Sequence, residues 1–342
     1  MTRELSREAR TVTGMAEPRR ILSIDGGGVR GVIPALALAA LERTTGGRVR
    51  DQFDFVAGTS TGALIAAAVA AGMPAEEVVR LYLDKAPRLF QRVPLLSTLR
   101  RIVAGELYDV RRLHALIGEA LAKEGAGDWT LNDVPGDILI TAKGLVDGHQ
   151  WYFVKDRPGA NAARTGALPL VDCLTASAAA PTYFEPWTVR GLERAGPMVD
   201  GGTGVAGNPV YQACVEAFLY SRGYEPASTV IVSLGTGHFF DRPRPTWLYT
   251  WLGWILAELL RSPGEQQTEL VDRHFPQASF YRIDVRLARD FGLDDARSLA
   301  DLGEIGERLA AEIDWPAILT GDDSKWSVTH GRRRPEAYAR EV

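Results

Sequence analysis

Arg20-Ile21-Leu22-Ser23-Ile24-Asp25-Gly26-Gly27-Gly28-Val29-Arg30-Gly31 and, a little further on, Phe53-Asp54-Phe55-Val56-Ala57-Gly58-Thr59-Ser60-Thr61-Gly62 decide the fold. Each stretch opens on a short apolar run of strand length and closes on a glycine-rich turn. After the first turn, Val29 to Arg43 reads as a helix, with Pro34 near its first turn and Gly46-Gly47 past its end. After the second, Thr61 to Ala71 is apolar on every side, which predicts a helix buried all round, and Gly72 and Pro74 stop it. Strand, glycine turn and helix, twice over, is the pattern of a parallel sheet with helices on its faces.

Further along the chain, Glu76 to Glu124 reads as mostly helical, with basic and apolar residues mixed from Pro87 to Val103. Asp137 to Ala142 and Gln150 to Lys155 read as paired strands around a Gly148 turn, and Val171 to Ala180 as a helix of small residues ended by Pro181. Met198-Val199-Asp200 is a short strand running into Gly201-Gly202; Pro209 to Tyr220 is a helix, and Thr229 to Leu234 a core strand leading to Gly235-Thr236-Gly237. Beyond about residue 240 the pattern weakens to a Trp-rich stretch from Trp247 to Leu260 and one strand at Phe280 to Val285. The expected organisation is a polar tail over 1–18, a catalytic domain over 19–240, and a C-terminal extension over 241–342 packed on it, with a regulatory or interfacial role.

With 342 residues, 46% of them hydrophobic, the chain can bury a sizeable core. A net charge of −4 gives no signature of a nucleic-acid polymer as partner. Cys173 and Cys214 lack metal or redox spacing, which suits a reducing compartment. The first eighteen residues hold no apolar stretch of signal-peptide length, and no run reaches the roughly 18 apolar residues of a membrane span. The expectation is a cytoplasmic protein, with peripheral contact at the inner face of the membrane and self-association left open.

Gly58-Thr59-Ser60-Thr61-Gly62 places a serine between two glycines on a strand-to-helix turn. The glycines let strand and helix backbones pass closely, so that the hydroxyl stands exposed at the strand's carboxyl end, and the following helix N-terminus favours developing negative charge. Gly26, Gly28 and Gly31 fit the spacing of a dinucleotide fingerprint, but that reading wants an acidic residue at the far end of the second strand. Asp51 and Asp54 precede or begin that strand, and its far end carries Ser60 instead. The better reading makes the N–H groups of Gly26, Gly27 and Gly28 an oxyanion hole. Arg30, a cation near a helix N-terminus, is expected to pair with an acid or bind a substrate anion such as phosphate.

A serine nucleophile needs a base. His238 lies on a loop just past a strand, and no motif supports it further. Asp200 is the stronger candidate, because Gly201-Gly202 puts its carboxylate on a tight turn and burial in a cleft would raise its basicity.

These motifs together resemble the patatin-like phospholipase family: the loop Asp25 to Gly31, the serine turn Gly58 to Gly62, the turn Asp200-Gly201-Gly202, then Asn208-Pro209, with Ala176 to Phe184 before the aspartate strand. The resemblance covers roughly residues 19 to 215. It implies a three-layer α/β/α sandwich with a mainly parallel central sheet and hydrolysis of lipid acyl esters. It implies a Ser60–Asp200 dyad that needs no histidine, cofactor or metal, with Gly26 to Gly28 as oxyanion hole. Membrane phospholipid is then the expected substrate. Some bacterial members with a similar layout are switched on by a cyclic nucleotide in anti-phage signalling, so such an activator is a second expectation, although no nucleotide site is visible in the sequence. A non-catalytic lipid-binding or storage protein on the same fold is the alternative outside enzymology. Trp247 to Leu256 reads either as an interfacial segment or as core or oligomer packing, and Arg88 to Arg101 as a face for anionic lipid or as a solvated surface.

Overall fold

A computed structural model of the chain describes residues 18–90, 106–156, 164–221, 223–239, 246–247, 251 and 264–321. Its centre is a seven-stranded sheet of β1 (Arg19–Ile24), β2 (Phe55–Gly58), β3 (Asp137–Gly144), β4 (Gln150–Lys155), β5 (Met198–Asp200), β6 (Thr229–Leu234) and β7 (Ser279–Ile283). The order is β4-β3-β2-β1-β6-β7, with β5 pairing with the far end of β3. Strands β1, β2, β3, β6 and β7 run parallel, while β4 and β5 lie antiparallel to β3.

The parallel strands are apolar on both faces because both are covered. On one face Leu22, Ile24, Val56, Ile138, Ile140 and Val232 pack beneath helices α1 (Val32–Thr45), α2 (Thr61–Ala71), α3 (Ala75–Leu89), α4 (Val110–Ala122) and α5 (Leu170–Ala178). The alternate residues Ile21, Phe55, Leu139, Ile231 and Phe280 meet Val210 and Ala213 of α6 (Val210–Val215) and Val271 from a helical stretch over 264–274. The result is the expected three-layer α/β/α arrangement. Helix α2 is buried on every side except at Leu64, as its composition predicts. One boundary differs from expectation: the first helix begins at Val32, after a single 3-10 turn over Gly28–Gly31. Pro87 lies inside α3.

Residue 240 marks no break in this architecture. Past it, β7 extends the same sheet beside β6, and α7 (Leu299–Glu312) packs on the first face: a Cβ at Gly306 would overlap Leu36 of α1. The described residues past 240 help to build the core. Most of the Trp-rich stretch, and the basic stretch after Phe90, lie outside the described residues. Trp247 and Trp251 are exposed. Among the described residues, no helix is long and apolar enough to cross a membrane.

Candidate active site

The loops after β1, β2 and β6 converge at the carboxyl ends of the parallel strands, where open α/β sheets place their ligands. Ser60 occupies the sharp turn between β2 and α2 with φ 54° and ψ −126°, a conformation costly for any residue with a Cβ. Glycine alone fits on either side. A Cβ at Gly58 would overlap the backbone of Gly62, and one at Gly62 would overlap the carbonyl oxygen of Ile24. The Ser60 N–H donates to the Ser177 hydroxyl on α5 at 2.9 Å. Below it, buried Thr59 hydrogen-bonds the Thr141 hydroxyl on β3 at 2.8 Å and donates to the Ala206 carbonyl.

Asp200 ends β5 opposite Ala142 of β3, and its own N–H is held by the Ala179 carbonyl at 2.9 Å. The following turn is tight, since a Cβ at Gly201 would overlap Thr141. The carboxylate is buried and accepts the Gly202 N–H at 2.8 Å. Burial pushes its pKa up to about 6, partly offset by the Ser60 hydroxyl and the Gly202 N–H, both of which favour the charged form. Ser60 and Asp200, far apart in sequence, are therefore neighbours.

The glycine loop closes the third side. Gly26 lies against Ser60, a Cβ there falling 3.3 Å from the serine's own. Its N–H, expected as an oxyanion donor, is already given to the Gly207 carbonyl at 2.9 Å. The N–H groups of Gly27 and Gly28 meet no acceptor among the described residues. Gly28 has φ +59°, and a Cβ on it would overlap the Leu293 carbonyl oxygen, which accepts the Val29 N–H at 2.9 Å. Arg30 donates to the carbonyls of Gly27 and Gly237, each at 3.3 Å, tying the loop after β1 to the loop after β6.

Of the remaining candidates, Asp54 falls elsewhere, whereas His238 lines the same cleft as Ser60. Asp54 is salt-bridged to Arg19 at 2.9 Å at the amino ends of the strands, away from Ser60. His238 faces Asp284, with Nδ1 3.3 Å from its carboxylate. Sequence reasoning missed two residues, Arg282 and Asp284. The Arg282 guanidinium grips the Asp25 carboxylate through both terminal nitrogens, at 2.9 and 2.6 Å, and reaches Asp284 at 2.9 Å and the Ser233 hydroxyl at 2.8 Å. The available signal was two charged residues at alternate positions of the expected strand Phe280 to Val285, hence on one face of it.

Ser60, Asp200 and the glycine loop line a cleft of about 610 Å³ whose far wall is apolar, formed by Leu64, Leu81, Ile117, Leu174 and Phe184. The architecture is thus an α/β/α sandwich with a serine elbow, a buried carboxylate and a glycine cradle around one apolar cleft. A sequence model of the family described as Patatin-like phospholipase matches residues 22–214. The chain belongs to that family. A protein of Escherichia coli described as cGAMP-activated phospholipase is 33% identical over 60% of this chain and 58% of its own length. A Vibrio cholerae protein of the same description is 29% identical over 86% of this chain and 90% of its own. The calcium-independent phospholipase A2-gamma of Homo sapiens is 29% identical over 82% of this chain and 36% of its own. The chain therefore spans under two thirds of the Escherichia coli relative.

Proposed function

We propose that the protein hydrolyses fatty-acyl esters of membrane phospholipids through an acyl-enzyme formed on Ser60. The observation that carries this reading is the strained Ser60 turn beside the buried Asp200 carboxylate. Asp200 takes the Ser60 proton as Oγ attacks the ester carbonyl carbon, and the oxyanion is received by the N–H groups of Gly27 and Gly28 and by the N-terminus of α2. Asp200 then passes the proton to the departing alkoxide. A water molecule, deprotonated by Asp200, attacks the acyl-enzyme carbonyl carbon, and Asp200 returns that proton to the departing Ser60 Oγ as the fatty acid is released. The apolar cleft wall suits an acyl chain, and Arg30, on the same cleft, is the candidate contact for the lipid phosphate. An aspartate with its pKa raised to about 6 is a better base than a solvated one while staying largely ionised at neutral pH.

Fatty-acid release from phospholipid vesicles tests this. Ser60→Ala and Asp200→Asn are each expected to abolish it while the circular-dichroism spectrum persists. Hydrolysis retained by folded Ser60→Ala would refute the reading, and a parent protein that binds the vesicles without releasing fatty acid would favour a lipid-binding role.

A second reading concerns control. Two relatives are described as cGAMP-activated, and a lipase acting on its own cell's membranes needs restraint. On this reading the parent protein is silent on vesicles until cGAMP is added. Full activity without nucleotide would exclude it.

A further inference from the structure

Three glycines in succession have no side chains of their own to pack, so the loop is held from outside: the Thr236 hydroxyl donates to the Gly26 carbonyl at 2.8 Å and Arg30 to the Gly27 carbonyl at 3.3 Å. Asp25 carries the last side chain before them. Its carboxylate is held at both oxygens by Arg282, a geometry that fixes direction as well as distance. Arg282 is itself held from the other side by Asp284 and by the Ser233 hydroxyl of β6. Asp284 in turn accepts the N–H groups of Gly237 and Val285, each at 2.9 Å. A Cβ at Gly235 would overlap the Asp284 side chain, so the strand end is packed around this pair. All the side chains in the chain of contacts, Asp25, Ser233, Arg282 and Asp284, sit at the carboxyl end of the sheet within two strands of the glycine loop.

Burying two carboxylates and a guanidinium is expensive, and a well-packed apolar set of similar volume would stabilise the fold as well or better. What an apolar set cannot do is fix the direction of the Asp25 backbone. We propose that Arg282 is a positioning residue for hydrolysis. Through Asp25 it sets where the Gly27 and Gly28 N–H groups stand relative to Ser60. The inference rests on the acyl-hydrolase reading above. It also assigns part of the active-site geometry to β7, beyond residues 22–214 that define the family match.

Arg282→Ala would leave two buried carboxylates facing each other and is expected to fail to fold. The informative variants are Arg282→Lys, which keeps the charge but loses the two-pronged grip, and Asp25→Asn, which keeps the shape and removes one charge. Hydrolysis of a soluble p-nitrophenyl ester is measured for both, with kcat referred to the active fraction titrated by a fluorophosphonate. Displacing the N–H donors by about 1 Å lowers the rate by about 100-fold. Arg282→Lys is therefore expected to lose about 100-fold in kcat per active molecule with KM within twofold of the parent, and Asp25→Asn to fall in between. A loss that disappears once the active fraction is counted would make Arg282 merely structural, and parental kcat in Arg282→Lys would overturn the proposal outright. A loss confined to KM would make it a substrate contact, which also overturns it. Ser60→Ala, run alongside, separates the two readings: its activity would remove the parent reading, whereas an inert Ser60→Ala beside a fully active Arg282→Lys removes this inference alone.

Discussion

Asp200→Asn is expected to make the protein more stable as it makes it inactive, and to do so only above a particular pH. The folded structure holds the Asp200 carboxyl at a pKa of about 6, chiefly because it is buried, against 3.8 for the free side chain. A carboxyl raised on folding is one whose charged form the fold disfavours. Below pH 3.8 it is protonated in both states and contributes no penalty. Between 3.8 and 6 the unfolded chain loses the proton first, so stability falls as pH rises. Above 6 the full penalty stands, roughly two pKa units or about 3 kcal/mol as a ceiling. Asparagine has the same shape, is neutral throughout, and keeps an oxygen to accept the Gly202 N–H. Urea unfolding at pH 4, 6 and 8 measures the difference. Parent and variant are expected to be nearly equal at pH 4 and to diverge by up to about 3 kcal/mol in the variant's favour at pH 8. Equal stability at both ends, or a variant weaker at pH 8, would refute the claim that Asp200 is buried at a cost to the fold.

On the proposed mechanism the same protonation governs turnover. kcat/KM on a soluble ester is expected to fall on the acid side with a midpoint near pH 6, as the Asp200 base is lost, and a profile flat from pH 8 to 5 would speak against Asp200 in that role. At Ser60, glycine is expected to give a protein about 1–2 kcal/mol more stable than alanine, because φ 54° strains any residue with a Cβ; thermal unfolding of the two variants reads the order directly. Gly62→Ala drives a Cβ into the Ile24 carbonyl oxygen, backbone against backbone, and is expected to cost at least about 2 kcal/mol in urea unfolding and to abolish labelling of Ser60.

The parts of the site that the sequence disclosed are those whose chemistry needs unusual residues close together. The elbow needs Gly58 and Gly62 around Ser60, and the cradle needs glycines after a strand, so local spacing was enough to find both. Asp200 is legible only as an aspartate on a glycine turn, which made it the stronger candidate base for Ser60, and the family resemblance added the dyad. Arg282 was not legible because its partner lies 257 residues away, and no local pattern records a contact set by the register of β1, β6 and β7. The committed N–H of Gly26 escaped for the same reason, since its acceptor is the Gly207 carbonyl in the loop after β5. The weak patterning past residue 240 suggested an appended segment. In the structure that region contributes β7, a short strand with Arg282 inside it and Asp284 just past its end.

The most direct measurement is the covalent one. A fluorophosphonate is incubated with the native protein, and the modified peptide is identified by mass spectrometry. The structure calls for a single adduct on Ser60, slowed severely in Asp200→Asn and absent in Ser60→Ala. An adduct on another residue, or a Ser60→Ala protein that is labelled and hydrolyses ester like the parent, would contradict the assignment of Ser60 as nucleophile.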